Sequence, residues 1–540
     1  MNKKWFVSRL FICFLTVFAM CLQAACGSGA GTGTKENSTK ETGSEVSGTT
    51  EAGSERSESN GTENTAAEST DTESTASEST DTKTSDTETS GTEGSDAENS
   101  VSESPDAESA ASESPDAGNI ISLEVHPEIR GYDWGPAVDR VILKLAEEVQ
   151  CTRDGEPVSL QEMFTVREEK QGMFGLSKAE RTIVKAWFSD EAGQMREDIL
   201  PGDTAGFITL ELAVGPEEGS PFVYNMMTWR NAWCDPYKLV ISMNEGEALI
   251  LAGSGEDAGL ETAEYRLDLS DPGLFPELEN AAVSETFTGP EGHELSYAFY
   301  EPGTASQENR RPLVIWLHGA GEGGKDPRIA LLGNRVSALF SDEFQNTMEG
   351  AYVLVPQTET FWMQYEENGS WSDNPGRDSV FLHDLKALID DFVSSHNVDA
   401  DRILIGGCSN GGFMTMDMVF NYPDMFAAAF PICEAFKPEA ATDEMLERIR
   451  NLPIWFVYAE NDTTVYPAAY EKPLIERLRK VSTEVRVSAF EDVRDTSGKY
   501  FKDGEPYEYM GHWSWIYFFN DECRDGDLSL WQWLAGQKRP

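Results

Sequence analysis

The segment ILIGGCSNGGF, residues 403–413, has a residue pattern that can turn a serine into a nucleophile. Within it, Gly407-Cys408-Ser409-Asn410-Gly411 fits G-x-S-x-G. An apolar run precedes the pattern and a helix-like run follows it, so the pattern predicts a sharp strand–turn–helix turn with Ser409 at its tip. Small neighbours let the strand and the helix approach each other closely. We therefore predict that Ser409 is a nucleophile; a plain glycine-rich loop is the alternative.

A serine hydroxyl becomes a good nucleophile only when a base takes its proton and an acid orients that base. On this kind of turn, the order along the chain is serine, acid, histidine. His512, in YMGHWSWIYF, is the only one of the six histidines that follows Ser409. We predict His512 as the base and Asp462, in the turn after IWFVY (454–458), as the acid. Glu460 and Asp492 are weaker candidates for the acid.

Attack on an ester or amide builds negative charge on the carbonyl oxygen, which fixed N–H groups stabilise. One predicted donor is the backbone N–H of Asn410, the residue after the nucleophile. The second donor is expected from the loop HGAGEGGKD that follows LVIWL (313–317), where Gly319 and Ala320 are the candidates. A plain glycine turn is the alternative for this loop. His318 precedes Ser409 in the chain, so we expect it to be structural.

The elements that must hold these residues alternate between strands and helices from about Val283 onward. The clearest helical pattern is SVFLHDLKALIDDFVSSH (379–396), in which the apolar residues recur on one face. Buried strands that alternate with amphipathic helices predict an α/β fold, a doubly wound and mostly parallel sheet. We assign it to residues 286–540. Its predicted strands are LVIWL (313–317), YVLVP (352–356), RILIG (402–406), AAAFP (427–431), IWFVY (454–458) and VRVSAF (485–490).

Residues 119–285 contain short apolar or alternating runs separated by Gly, Pro, Asn and Asp, for example VDRVILKL, GFITLELAV and KLVISM. This pattern predicts a β-sandwich. Residues 174–189 are the exception, because they have a weak helical amphipathy. Trp229, Trp233 and Tyr237 are expected to pack in a core, and a binding surface is the alternative.

The sequence of the first 118 residues predicts an exported protein with a flexible tether ahead of its folded part. Residues 1–26 have a basic start, an apolar run from Leu10 to Leu22 and small residues before Cys26, which together are typical of a lipoprotein signal peptide. Gln23 departs from that signal, and a cleaved signal with release is the alternative to lipidation at Cys26. Residues 27–118 contain 22 Asp or Glu, 4 Lys or Arg and no aromatic residue. Such a segment is predicted to be disordered, because it buries too little apolar surface to offset the entropy of ordering.

The formal net charge of −53 argues against nucleic acid or an anionic membrane surface as a partner. Membrane contact is expected only through the N-terminal lipid. Beyond Cys26, the number of cysteines is odd and their spacing fits neither a metal site nor a disulfide framework, so we predict at least one free thiol and assign no disulfide. These cysteines are Cys151, Cys234, Cys408, Cys433 and Cys523.

The motifs LHGAGEGG, GCSNGGFMT, AENDTTVYP and GHWSW together resemble the α/β-hydrolase superfamily. Within it they look closest to exported esterases related to polyhydroxybutyrate depolymerases and feruloyl esterases, and to the prolyl-oligopeptidase-like group of predicted peptidases. The likeness covers residues 290–540. It implies a serine hydrolase mechanism without metal or cofactor. Some such esterases carry an immunoglobulin-like domain first, and residues 119–285 are similar in placement and size.

Aromatic residues near the predicted site suit sugar rings or phenolic acyl groups, and we take Trp362, Trp371 and Trp513 as candidate substrate-binding residues. Packing in a core or lid is the alternative. The sequence does not show the repeated blade pattern of a β-propeller, and this favours esters over peptides as substrates. Acyl esters on plant polysaccharides are included among the expected substrates. A prolyl-oligopeptidase-like peptidase and a non-catalytic binding lipoprotein remain the alternatives.

Overall fold

The computed structural model describes residues 119–366 and 378–540. The predicted signal peptide, Cys26, the predicted tether at 27–118 and Trp371 lie outside these residues. Within the described ranges, no helix is long and apolar enough to cross a membrane. The cysteines at 151, 234, 408, 433 and 523 are all buried and free.

The first part of the described chain is made of strands. Their bounds are β1 Asn119–Ile121, β2 Leu123–Tyr132, β3 Gly135–Gln150, β4 Thr152–Arg153, β5 Glu156–Pro157, β6 Phe164–Gly172, β7 Gly175–Arg181, β8 Ile183–Ser189, β9 Thr204–Leu212, β10 Phe222–Asn225, β11 Arg230–Trp233, β12 Tyr237–Met243, β13 Leu249–Ile250, β14 Asp257–Leu260 and β15 Ala263–Arg266.

These strands form an immunoglobulin-like β-sandwich. One sheet has the order β2-β3-β9-β8 and the other β15-β12-β6-β7, while β1, β14 and β13 form a third, small sheet. Alternate residues of the facing strands are buried together, among them Leu143, Ile208, Val166 and Leu239, as expected for two sheets packed face to face. The weak helical amphipathy of residues 174–189 was misleading, because this segment forms β7 and β8.

The second part alternates between strands and helices. The strands are β16 Ala281–Thr288, β17 Glu294–Tyr300, β18 Arg311–Leu317, β19 Tyr352–Thr358, β20 Val398–Cys408, β21 Ala428–Ile432, β22 Ile454–Ala459, β23 Val485–Phe490, β24 Phe501–Lys502, β25 Glu505–Pro506, β26 Arg524–Asp525 and β27 Leu528–Ser529. The helices are α1 Pro327–Gly333, α2 Asp342–Thr347, α3 Leu382–Ser395, α4 Asn410–Asn421, α5 Asp443–Arg448, α6 Glu471–Val481, α7 Trp515–Phe519 and α8 Leu530–Ala535.

Eight of these strands form one mixed sheet in the order β16-β17-β19-β18-β20-β21-β22-β23. The pairs from β19 to β23 are parallel, and β17 is antiparallel to both of its neighbours. The sheet begins at Ala281, a few residues before the boundary predicted at 285. This is the predicted α/β-hydrolase sheet, and its order brings the carboxyl ends of β18, β20, β21 and β22 to one edge, where parallel α/β sheets carry their sites.

The sandwich and the hydrolase part share a buried interface. The turn after β2 places Asp133 against the hydrolase part, where its carboxylate accepts hydrogen bonds from Arg335 Nη1 (3.1 Å) and Asn520 Nδ2 (3.2 Å). Nearby, the carboxylate of Glu277 accepts from the N–H of Gly131 (3.0 Å) and the hydroxyl of Ser337 (2.9 Å). One continuous cluster of buried apolar side chains also extends across both parts.

Candidate active site

Ser409 occupies the turn between β20 and α4 in a conformation that non-glycine residues rarely adopt. Its φ is 56° and its ψ is −113°. Such a conformation costs roughly 1–3 kcal/mol and persists only where the surroundings impose it. Here the Ser409 N–H donates to the carbonyl of Ile432 (2.9 Å), and its own carbonyl accepts from the N–H of Phe413 (2.9 Å). The turn is therefore fixed both to the neighbouring strand β21 and to the first turn of α4.

Glycines on both sides of the turn permit a close approach by the loop after β18. A Cβ added at Gly407 would lie 2.4 Å from the carbonyl oxygen of Leu317, and one added at Gly411 would lie 2.0 Å from the same atom. Contacts this short are not possible for a real side chain. The glycines of the G-x-S-x-G pattern thus allow the backbone after Leu317 to run directly over the start of α4.

Asp462 and His512 are hydrogen-bonded to each other, with 2.7 Å between Asp462 Oδ2 and His512 Nδ1. Both side chains are buried. The other oxygen of Asp462 accepts the N–H groups of Thr464 (2.7 Å) and Val465 (3.0 Å), which hold the carboxylate in place. Because the carboxylate accepts, Nδ1 carries the proton, and Nε2 keeps the lone pair that a general base needs.

The loop that carries His512 packs tightly on the loop that carries Asp462. A Cβ added at Gly511 would lie 2.1 Å from the side-chain oxygen of Asn461. The two weaker acid candidates have other partners: Glu460 accepts from Lys472 Nζ (2.6 Å), and Asp492 accepts from Arg494 Nε (2.7 Å). Of the three candidate acids, the structure brings Asp462 to His512.

His318 has a structural position below the loop after β18. It is fully buried, with Nδ1 2.6 Å from the carbonyl of Gly319, and its Nε2 accepts the N–H of Thr358 (3.2 Å). Burial lowers the pKa of His318 to about 4. A neutral ring with both nitrogens engaged ties this loop to β19 and has no free lone pair for catalysis.

Asn410 and the loop after β18 carry the N–H groups that the sequence predicts for the oxyanion. Asn410 is the first residue of α4, so its N–H has no partner inside the helix. Its side-chain oxygen accepts the N–H of Trp362 (2.7 Å). A Cβ added at Gly319 would lie 2.9 Å from a carboxyl oxygen of Glu322, so the backbone of Gly319 packs against this buried group. Gly319 and Ala320 both stay predicted donors of this loop.

The three predicted substrate-binding tryptophans have different positions. The ring of Trp362 is completely buried and packs against His318 and Phe381, so it offers no face to a sugar or phenolic group. Trp513 is half-buried and lies beside Trp515, with 6.1 Å between ring centroids. Trp371 is outside the described residues. Trp513 stays a predicted substrate-binding residue.

Two buried glutamates near the site were not predicted. Glu434 follows β21, and its Oε2 accepts the N–H of Phe436 (2.5 Å). Both oxygens of Glu471 are buried without a hydrogen-bond partner among the described residues. Burial, and the repulsion of Glu471 by Glu434 and Asp462, raise the pKa of this pair of carboxyl groups. For Glu434, an acid inside the otherwise apolar run AAFPICEAF was the available signal.

Two family models match the chain, one on each side of the interface. Residues 129–246 match the esterase Ig-like N-terminal domain, and residues 304–501 match the phospholipase/carboxylesterase domain. The second match contains Ser409 and Asp462 but ends before His512.

The chain is also similar to individual proteins. A segment of the chain is 42% identical over 129 residues to poly(3-hydroxyalkanoate) depolymerase C of Paucimonas lemoignei. It covers 22% of this chain and 27% of that protein, so the match spans about a quarter of the relative. The solved structure of a thermostable esterase superimposes with a TM-score of 0.60 at 23% identity, over 78% of this chain and 100% of that one. A ferulic acid esterase superimposes with a TM-score of 0.31 at 15% identity, over 39% and 90% of the two chains.

Proposed function

We propose that this chain, an α/β-hydrolase of the esterase type with an immunoglobulin-like domain ahead of it, hydrolyses carboxylic esters through an acyl-enzyme. The proposal rests on one observation. Asp462 and His512 form a hydrogen-bonded pair at the edge of the sheet where the strained turn at Ser409 also lies. A buried acid, an oriented base and a presented hydroxyl are the parts that nucleophilic acyl transfer needs.

The proposed reaction has two halves. In the first, Ser409 Oγ attacks the acyl carbon while His512 Nε2 takes its proton, and the N–H groups of Asn410 and Ala320 stabilise the oxyanion. The C–O bond to the alcohol then breaks, and His512 returns the proton to the leaving oxygen. In the second half, water attacks the acyl group with His512 as the base again, and this step frees the acid and Ser409.

The test combines turnover with covalent labelling. Ser409→Ala should remove nearly all hydrolysis of p-nitrophenyl esters, and a fluorophosphonate should label the wild type at Ser409. Ser394→Ala, an exposed serine on α3, is the matched control and should keep full activity. A labelled residue other than Ser409, or an active Ser409→Ala, would contradict the proposal. A wild type that neither turns over nor is labelled would favour the non-catalytic binding alternative.

Esters are the proposed substrate class in preference to peptides. Amide cleavage needs firm protonation of a poor leaving group and close registration of an extended chain. In the described residues, the part ahead of the hydrolase sheet is a sandwich, not a propeller. Feruloyl and acetyl esters on xylan, tested beside proline-containing peptide amides, separate the two classes. A peptide kcat/KM that equals the best ester value would overturn this choice and favour the peptidase alternative.

Polysaccharide-linked acyl groups are the narrower proposal for the substrate. Its support is the half-buried Trp513, which lies next to the base and is suited to stack on a sugar or phenolic ring. Trp513→Ala should raise KM for feruloylated xylan fragments and change KM for p-nitrophenyl acetate little. An equal change for both substrates would contradict a role in recognising the larger ester.

Export and anchoring are also proposals, and they rest on the N-terminal sequence alone. The basic start, the apolar run and Cys26 would direct the chain out of the cell and attach a lipid to it. Labelling with a radioactive fatty acid should mark the wild type, and Cys26→Ser should abolish the label and release the protein. Unlabelled wild-type protein in the medium would favour a cleaved signal peptide without an anchor.

A further inference from the structure

We infer that Glu322 is a positioning residue for the oxyanion loop, defined here as residues 319–324, and that the immunoglobulin-like part supplies one of its hydrogen-bond donors through Asn231. The inference rests on the proposed function, because it concerns the same site. It assigns a role in turnover to a residue of the sandwich that touches neither the nucleophile nor the base.

The surroundings of Glu322 call for an acceptor. Its carboxyl group is buried and accepts from Asn231 Nδ2 (3.2 Å), while the side chain of Asn334 and the backbone N–H of Gly319 act to lower its pKa. Within residues 119–366 and 378–540, no Lys or Arg forms an ion pair with it. Burial raises the pKa of Glu322 to about 7, and these N–H donors oppose the rise. The donors on three different segments thus converge on one carboxyl group.

Glu322 connects the oxyanion loop to the turn that carries the nucleophile. Its main chain is fixed from both sides, since its carbonyl accepts from Gln357 Nε2 (2.7 Å) and its N–H donates to Gly319 (3.3 Å). Asn334, its partner, also donates to Cys408 Sγ (3.1 Å), the residue just before Ser409. The carboxyl group also packs against the backbone of Gly319, where an added Cβ would lie 2.9 Å from its Oε2. This contact sets the orientation of the next peptide, whose N–H belongs to Ala320.

The sandwich contributes through the hairpin of β10 and β11, which lies directly on the oxyanion loop. A Cβ added at Gly321 would lie 3.3 Å from Asn231, and one added at Gly323 would lie 3.3 Å from Arg230. At the end of the hairpin, Trp233 Nε1 donates to the carboxylate of Asp326 (2.9 Å). Gly321 and Gly323 therefore leave room for the hairpin, and Asn231 donates from the hairpin to Glu322.

The test uses Glu322→Gln, which keeps the size of the side chain but replaces one acceptor oxygen with an amide NH₂ group. One of the surrounding donors would then face another donor. We expect kcat on p-nitrophenyl esters to fall about tenfold, less than the roughly 10²–10³-fold loss caused by removing an oxyanion donor itself. KM should change little, because the oxyanion forms only after binding. Asn231→Ala should lower kcat by a smaller factor.

Two further variants separate positioning from a general loss of structure. Asn231→Ala added to Glu322→Gln should cause less loss than the product of the single effects, because the two side chains act through one contact. Trp233→Phe removes a different hydrogen bond of the same hairpin and should keep kcat close to the wild-type value. Thermal unfolding of each variant checks that it is folded; if Glu322→Gln does not fold, the comparison of Asn231→Ala with Trp233→Phe decides.

The outcomes distinguish this inference from the proposed function. An active wild type with a fully active Glu322→Gln would overturn the inference alone. Equal losses in Asn231→Ala and Trp233→Phe would also overturn it, because docking of the hairpin would then matter and the contact with Glu322 would not. A wild type without turnover and without label at Ser409 would overturn the proposed function, and this inference with it.

Discussion

Asp462 and Glu460 lie two residues apart in one loop, but their carboxyl groups have opposite environments. Asp462 is buried and accepts from two backbone N–H groups and from His512. Glu460 is half-exposed and pairs with Lys472. Three hydrogen bonds hold the buried carboxylate of Asp462 in one orientation. An exposed ion pair contributes only about 0–1 kcal/mol to stability, and the pair of Glu460 with Lys472 does not orient a histidine.

Asp462→Asn should therefore lower turnover by about 10⁴-fold while the fold persists, the scale of the corresponding change in a serine protease. The amide would no longer favour the proton on His512 Nδ1, so Nε2 would lose its role as base. Turnover of a p-nitrophenyl ester and the melting temperature are the measurements. Glu460→Gln is the matched control and should be nearly as active as the wild type; if it were the damaging change, the acid would be Glu460, two residues earlier in the same loop.

Glu471 gives a prediction for stability. Its two carboxyl oxygens are buried without a partner among the described residues, and Glu434 and Asp462 lie close enough to repel its charge. The pKa of Glu471 is raised well above its ordinary value of 4.5, so the folded state holds a proton that the unfolded chain releases. The folded state binds more protons above pH 4.5, and the free energy of unfolding falls as the pH rises through this window.

Glu471→Gln should make that fall shallower, because a neutral amide has no proton to lose. The substitution should reduce the pH slope of the free energy of unfolding by at most about 1.4 kcal/mol per pH unit, the value for one proton. Urea unfolding between about pH 5 and pH 8 measures it, over the window where the two states differ in bound protons. Glu476→Gln, an exposed residue of the same helix α6, should leave the slope unchanged. Equal slopes in all three proteins would show that Glu471 is ionised in the folded state.

At the scale of elements, the turn between β20 and α4 needs glycine mainly because a Cβ would collide with the neighbouring backbone, and less because of glycine's conformational freedom. Gly411 lies in the first turn of α4, where a Cβ would lie 2.0 Å from Leu317 O and 2.7 Å from His318 O. Helix propensity alone favours alanine there by about 1 kcal/mol. The steric conflict of an alanine Cβ with the carbonyl oxygens of Leu317 and His318 would instead be destabilising. It would displace the segment that leads into the oxyanion loop.

Gly411→Ala should therefore destabilise the protein by about 1–3 kcal/mol, the usual range for overpacking, and should also reduce turnover by displacing the loop. Gly259→Ala is the control, because a Cβ at Gly259 in β14 meets no atom within 4 Å. Chemical unfolding and ester turnover of both variants are the measurements. A Gly411→Ala variant as stable and active as the wild type would mean that the loop lies farther from α4.

The elements of the hydrolase part could be predicted because their strands are buried on both faces. Runs such as LVIWL and IWFVY are apolar throughout, and β18 and β22 contain them. The strand β7 lacked this signal, since six of its seven residues are exposed and give no alternation. The sequence also predicted Asp462 and His512, which are hydrogen-bonded to each other, while the role of Ser409 as nucleophile stays a prediction. It did not indicate that Trp362 is buried or that Asn231 donates to Glu322, because both depend on contacts across the fold.

At the scale of the whole molecule, the two parts were predictable but their interface was not. Asp133 and its partners Arg335 and Asn520 are separated by 202 and 387 residues, and such contacts leave no local pattern in a sequence. The same holds for Asn231 and Glu322, which are 91 residues apart. The interface combines buried hydrogen bonds with an apolar cluster that continues from the sandwich into the hydrolase part.

This interface predicts that the sandwich and the hydrolase part unfold together. The carboxylate of Asp133 is buried, while Arg335 is 39% exposed, so removing the carboxylate leaves a cation that water can partly solvate. We expect Asp133→Ala to cost about 1–2 kcal/mol, near the range for a hydrogen bond to a charged group, and to lower the melting temperature.

Calorimetry should show one transition for the wild type and for Asp133→Ala, and loss of ester turnover should coincide with it. Glu124→Ala is the control, because Glu124 forms an exposed ion pair with Lys144 inside the sandwich; it should change the melting temperature little. If the parts were independent, Asp133→Ala would leave two separate transitions in place and shift them unequally. A single shifted transition would mean instead that the sandwich stabilises the domain that carries Ser409 through the contacts of Asp133 at the interface.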